Sequence, residues 1–426
     1  MSALSKFATL TIDEATDCLI DYRGKTPPKT ESGVRLITAK VIKEGRILEE
    51  PKEYIATDFY DEWMRRGLPQ KHDVLITTEA PLGEVAILRN GGRIALAQRV
   101  ILLRAKPGIV DSSYLFYALQ SNFTQAELAA RATGTTVLGV KQSELRKVRI
   151  PYRPLPFQQK IASILSAYDN LIENNTRRIA ILEEITQRIY EEWFVHFRFP
   201  RHEKCELVDS VKGKIPKGWT ISTISEVCIS AIDGDWIETK DQGGSDYRLL
   251  QISNIGVGAF IETGNYRYIT QDTFERLRCQ EIKPMDILVA RMPKPTGRAW
   301  LVTPMPWRMI TAVDVAILKA NPEIVDATYL VSILNSADHL ATVEKRATGT
   351  TRLRISRSAL INLPILVPPI AIQNQYTLHA APIYDLITLY RQKNQNLRQT
   401  RDLLLPKLIS GEIDVSHLQV PKPATV

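Results

Sequence analysis

Cysteine is scarce and scattered. Cys18, Cys205, Cys228 and Cys279 stand alone in 426 residues, with no CxxC pair and no spacing that suits a metal. A disulfide framework is not expected in a chain this large, so a reducing cytoplasm is the expected setting. Long apolar runs are missing as well. The longest, near Ile365 to Ile372, is broken by Pro368 and Pro369 and is too short to cross a bilayer. Met1-Ser-Ala-Leu-Ser-Lys-Phe7 carries no secretory pattern, and no membrane partner is expected.

The motifs of catalysis are also missing. Gly24-Lys25-Thr26 resembles the end of a phosphate-binding loop, but the glycine required five residues earlier is Leu19. No GxGxxG follows a strand. Asn321-Pro322-Glu323-Ile324 lacks the second proline and the stacking aromatic of an adenine-methyltransferase motif, and reads as a turn. Asp272 with Glu281-Ile-Lys283 could mimic a nuclease carboxylate cluster, yet the matching place earlier in the chain holds Lys71-His72-Asp73. His196 and His202 have no further candidate ligands near them and read as surface histidines. No enzyme is visible, and no metal or cofactor is expected on this chain.

What the chain does have is a repeat. Arg131-Ala-Thr-Gly-Thr-Thr136 recurs as Arg346-Ala-Thr-Gly-Thr-Thr351. In the same register Ile109-Val-Asp111 matches Ile324-Val-Asp326, Tyr114-Leu115 matches Tyr329-Leu330, and Pro154-Leu-Pro-Phe-Gln158 lies over Pro369-Ile-Ala-Ile-Gln373. Upstream, Arg35-Leu36 pairs with Arg248-Leu249, and Asp73-Val-Leu-Ile76 with Asp286-Ile-Leu-Val289. The chain thus reads as two diverged copies of a unit of roughly 200 residues, far beyond the period of a solenoid. Each copy has the size of an independent domain, and 44% hydrophobic residues suffice for two cores. Lys and Arg total 55 against 47 Asp and Glu, a net +8 that favours a polyanionic partner.

Each copy opens with short strands and helices. Val74–Thr78, Val85–Leu88, Val100–Leu103, Ile287–Ala290 and Val313–Leu318 read as strands, and Asp111 and Asp326 as N-caps of helices. After a proline-punctuated run the pattern becomes helical. From Phe157 to Trp193 there is no Gly or Pro, and Ile161, Tyr168, Asn175, Leu182 and Ile189 recur every seven residues, with Leu165, Ile172 and Ile179 between them. The second copy carries the same line at Tyr376, Ile383, Tyr390, Leu397 and Leu404. Such a seam marks a long helix, about 55 Å in the first copy, that needs a partner surface. The second helix is more polar, with Asn394 and Arg401 on the seam, and Pro382 is expected to kink it.

The basic loops are the candidate contacts. Arg23, Lys25, Thr26 and Lys29 lie in a Pro/Gly-rich loop, with Lys40 just beyond it. The strand ending at Thr78 runs into Glu79-Ala-Pro-Leu-Gly83, and its counterpart is Arg291-Met-Pro-Lys294-Pro-Thr296-Gly297-Arg298. These loops differ most where the copies otherwise agree. A common scaffold presenting variable polar loops suits readout of base edges, since Arg, Lys, Asn and Glu make discriminating contacts there.

The architecture resembles the specificity (S) subunit of type I restriction–modification systems along nearly the whole chain. The closest motifs are Ile150-Pro-Tyr-Arg-Pro-Leu-Pro-Phe-Gln-Gln-Lys-Ile-Ala162, Leu182 through Pro200, Ile215-Pro-Lys-Gly-Trp219 and Leu403-Leu-Leu-Pro-Lys-Leu-Ile-Ser-Gly-Glu-Ile413. The resemblance implies an α+β fold with two similar mixed α/β target-recognition domains, separated by two long helices forming an antiparallel coiled-coil spacer. The expected division is 1–153 and 216–368 for the recognition domains, 154–200 and 369–412 for the helices, 201–215 for a linker and 413–426 for a disordered tail. It also implies double-stranded DNA, two methyltransferase subunits and, through them, motor-nuclease subunits as partners. S-adenosylmethionine, magnesium and ATP would belong to those partners. A methyltransferase-only DNA-targeting adaptor and a coiled-coil scaffold without DNA binding stay open as alternatives.

Overall fold

The computed structural model describes residues 8–22, 24, 26–211, 213–349 and 352–418. It divides into two compact units, Met1–Asn175 with Lys393–Val426, and Thr176–Gln392. The division is not sequential: each long helix contributes to both units.

The first unit starts with a capping box. Thr11 accepts from the Glu14 N–H at 3.2 Å and the Glu14 carboxylate accepts from the Thr11 N–H at 2.8 Å. Its main sheet runs in the order Thr16–Asp21, Val100–Ala105, Val74–Thr78, Leu82–Ile87, antiparallel throughout. Val74–Thr78 is buried along its whole length because both faces of the sheet are covered. Val74, Ile76, Ile101 and Leu103 point into a core closed by the helix Ser112–Gln120. Leu75, Val100 and Leu102 point the other way, toward the small sheet Tyr54–Ile55, Val34–Ile37, Ile94–Leu96. An edge pair, Ala8–Thr11 with Arg149–Tyr152, completes the unit.

The second unit repeats this plan. Thr223 and Glu226 form the capping box, at 2.7 and 3.3 Å. The main sheet is Cys228–Asp233, Val315–Ala320, Ile287–Ala290, Ala299–Leu301, and the small sheet is Tyr268–Ile269, Tyr247–Leu250, Arg308–Thr311. The aligned glutamines explain themselves here. Gln158 is fully buried, accepts from the Asp111 N–H at 2.9 Å and donates to the carbonyls of Ile109 and Arg153. Gln373 does the same with Asp326, Ile324 and Pro368. A buried amide with its donors and acceptor satisfied ties each long helix to its capped neighbour.

The long helices span Leu155–Tyr190, followed by a π turn over Glu191–Val195, and Ile370–Ser410. The second runs through Pro382 without interruption. In the first unit the helices pack antiparallel. Asn175 Nδ2 donates to Asn394 Oδ1 at 2.9 Å, Asn394 Nδ2 donates to the Ile172 carbonyl, and Arg401 pairs with Asp169 at 2.6 Å. In the second unit Trp193 meets the Tyr376 ring at 6.1 Å and Arg178 donates to the Tyr390 hydroxyl at 3.2 Å, again antiparallel.

Ile161, Leu165, Ile172, Asn175 and Tyr376 are buried. Tyr168, Ile179, Leu182, Ile189, Ile383, Tyr390, Leu397 and Leu404 are half-buried. Thr186, the seam position matching Arg401, is buried too, as is Ile387, which the heptad line passed over.

Two boundaries differ from expectation. The stretch expected as a linker folds into a hairpin, Leu207–Ser210 with Gly213–Pro216, because Phe199 packs on Trp219 at 5.3 Å and buries both. At the other end Val415 is 2% exposed in the first core, so the chain is anchored there as far as Val415, within the stretch expected to be a disordered tail; residues 419–426 lie outside the described residues.

Candidate nucleic-acid interface

In the second unit the variable loop joins Ile287–Ala290 to Ala299–Leu301, and its arginines turn inward. Arg298 donates through Nε to the Ile255 carbonyl at 2.6 Å, through Nη1 to Pro293 and Pro295 at 2.6 and 3.2 Å, and through Nη2 to Ile252 at 3.0 Å. Arg291 donates to the Val313 carbonyl at 2.7 Å and lies 3.1 Å from Asp233 and 3.8 Å from Asp314. Both guanidinium groups are buried, which pushes their pKa values below the usual arginine range. Thr296 is buried too. Gly297 has φ +91°, and a Cβ there would come within 2.9 Å of Val343. Arg291 and Arg298 therefore hold the loop's shape and Thr296 is buried within it, so these three do not line its tip, which departs from the base-reading role expected of them. Lys294 is the exception: it is exposed and pairs with Glu344 at 2.7 Å.

In the first unit the equivalent loop is Glu79–Gly83. Gly83 has φ +84°, with Gln125 and Leu128 filling the space a Cβ would need. Glu79 is half-buried, 3.3 Å from Arg99. Glu84, where the second unit has Arg298, accepts instead from the Glu44 N–H at 2.9 Å. Thr26 and Lys29 are exposed, and Lys29 pairs with Glu53 at 2.7 Å. Lys40 is exposed with no ion pair among the described residues. Arg23 and Lys25 lie outside the described residues.

The matched arginines Arg35 and Arg248 are also scaffold. Arg35 donates to the Leu48 and Glu49 carbonyls. Arg248 is buried, bonded to Glu262 at 2.7 Å and enclosed by Trp307, Tyr266 and Phe260 at 4.6, 4.8 and 5.4 Å. Sequence reasoning missed an exposed aromatic. Trp236 is 71% exposed on the loop that follows Cys228–Asp233, the counterpart of the Arg23 loop. Aligning the two capping boxes would have found it.

Residues 25–184 match the family described as Type I restriction modification DNA specificity domain. By sequence the chain is similar to type I restriction enzyme specificity subunits. Among its relatives are two type I restriction enzyme specificity subunits of Methanocaldococcus jannaschii. MjaIX is 26% identical over 91% of this chain and 83% of its own length, and MjaVIII is 25% identical over 87% and 88%. The crystal structure of the S subunit of a type I restriction–modification system from M. genitalium shares the fold, with a TM-score of 0.59 at 16% identity over 96% of this chain and 98% of that one. The mixed strand-and-helix units with long helices are the architecture of this specificity-subunit fold. Among the described residues no helix is long and apolar enough to cross a membrane, and no three His, Cys, Asp or Glu side chains gather as a metal site.

Proposed function

We propose that this chain is the non-catalytic DNA-reading subunit of a cytoplasmic type I restriction–modification complex, each unit recognising one half of a bipartite, asymmetric site. The observation that carries this is the pair of loops Glu79–Gly83 and Arg291–Gly297. They leave the same strands of the same sheet in two units built alike, yet they differ in sequence and in which polar groups they show. Lys294, Lys29, Lys40, Thr26 and Glu79 are the exposed or half-exposed groups that would meet DNA, with Trp236 offering an aromatic face in the second unit. Arg291 and Arg298 position the loop that carries Lys294.

The antiparallel helices would fix the gap between half-sites. Their apolar residues outside the seam, Leu171, Ile181, Ile185, Leu378, Leu386 and Leu389, are 40–75% exposed and offer a surface for two methyltransferase subunits. Motor-nuclease subunits would join through those partners, which also bring S-adenosylmethionine, magnesium and ATP.

Selection from randomised duplexes by the complex of this chain with its methyltransferase tests the reading. Two short fixed blocks separated by a constant gap are expected, and Lys294→Gln should relax only one block. Selection of a single uninterrupted block, or of none, would overturn it.

A further inference from the structure

Arg131-Ala-Thr-Gly-Thr-Thr136 and Arg346-Ala-Thr-Gly-Thr-Thr351 are identical although the loops beside them diverge. The backbone accounts for part of that identity. Thr133 and Gly139 exchange both backbone hydrogen bonds, at 2.8 and 2.9 Å, and Thr348 and Arg354 exchange the same pair at 2.9 Å. Gly134 has φ +125°, where a Cβ would lie 2.2 Å from the Val137 carbonyl oxygen, and Gly349 has φ +117°, with the Arg352 oxygen at 2.5 Å. Arg131 is held by Glu127 and Glu144.

The fold gives no reason for the threonines that follow. Thr135 and Thr136 are exposed, and among the described residues their side chains make no hydrogen bond. Thr350 and Thr351 lie outside the described residues.

Position supplies the second clue. The Val140 N–H donates to the Thr78 carbonyl at 3.0 Å, and Glu79 bridges Gly139. In the other unit the Ile355 N–H donates to the Arg291 carbonyl at 3.1 Å. The constant loop is thus pinned, in each unit, to the strand end from which the variable loop springs. Charge supplies the third. Lys141, Lys345, Arg346 and Arg352 are exposed on or beside these loops and have no ion pair among the described residues.

A loop that read bases would have to differ between units that read different half-sites. A loop that touches something common to both halves is free to stay the same, and the sugar–phosphate backbone is common to both. Hydroxyl and backbone N–H donors with nearby cations suit phosphate oxygens, and such contacts fix register without reading sequence. We propose that the Arg131–Thr136 loop and, in the second unit, the described residues Arg346–Gly349 with Arg352 are sequence-independent phosphate clamps, setting the position from which each variable loop meets base edges. The proposal rests on the DNA-reading function above.

The full chain assembled with its methyltransferase is bound to a cognate duplex and to a scrambled duplex of equal length. Thr135→Val with Thr136→Val keeps the shape and removes two donors. Affinity for both duplexes should fall by the same factor, roughly tenfold, and Ser at both positions should restore it. Arg346→Gln with Arg352→Gln should lower the salt slope by about two. A changed cognate-to-scrambled ratio would make the loop a base reader and overturn the proposal. Unchanged DNA affinity with loss of the methyltransferase would assign the loop to a protein partner and overturn it equally. If the unsubstituted complex binds neither duplex, the DNA-reading function itself fails, a result scored before any substitution is made.

Discussion

Arg298→Met separates two roles for one residue. Viewed as sequence, Arg298 belongs to a variable basic loop and should read a base. In the structure it is 8% exposed and spends its donors on four carbonyls. Two of those carbonyls have other partners, Ile252 from the Ile255 N–H and Pro295 from the Arg298 N–H. The carbonyls of Ile255 and Pro293 accept no other hydrogen bond among the described residues. Methionine keeps most of the apolar stem but leaves these two oxygens buried and unmet, at about 1–3 kcal/mol each. With the loss of charge-assisted bonds the total is about 3–5 kcal/mol. For a domain of this size that lowers the midpoint of thermal unfolding by roughly 6–20 °C. Differential scanning calorimetry of the full chain should show the lower transition. Unchanged thermal stability together with relaxed selectivity at one base would refute the reasoning and restore the base-reading role.

Lys294→Gln, four residues away and exposed, should leave the melting curve in place while changing affinity or selectivity at the second half-site in a duplex-binding assay. Asn394→Leu removes the partner of the buried Asn175 amide and should cost about 1–3 kcal/mol in denaturant unfolding, whereas Asn175→Leu with Asn394→Leu should recover most of it. Equal losses in the single and double variants would show that the two amides do not act as a pair. Burial raises the Asp235 carboxyl to about 6, against bonds from the Gln280 backbone N–H that lower it. A carboxyl raised on folding adds stability that is fully present below its ordinary value of 3.8 and is lost as pH climbs through about 6. Stability should therefore fall between pH 4 and pH 7, and Asp235→Asn should flatten that slope in unfolding titrations.

Much of the scaffold was legible because local rules and long-range packing agree. The apolar runs at Val74–Thr78 and Ile287–Ala290 are central strands, Asp111 and Asp326 cap the helices they precede, and the heptad line marks the helical seam. The aligned glutamines gave a register but no role, since their partners are backbone groups supplied by folding. The arginines misled for the same reason. Ile252 and Ile255, which receive Arg298, lie more than forty residues upstream, so nothing beside Arg298 in the sequence announces a cage of carbonyls. The polar segment after Phe199 looked like a linker because its anchor, the packing of Phe199 against Trp219, joins residues either side of a hairpin with little apolar content of its own.

The most direct test of the account is methylome sequencing of cells that carry this chain with its methyltransferase partner, before and after exchange of the Arg291–Gly297 loop for one of different sequence that keeps Arg291, Thr296, Gly297 and the following Arg298. Methylation at one bipartite, asymmetric motif with a fixed gap is expected. The exchange should alter only one half of the motif and leave the gap unchanged. An undivided motif, or a change in both halves at once, would contradict the reading of one half-site by each unit.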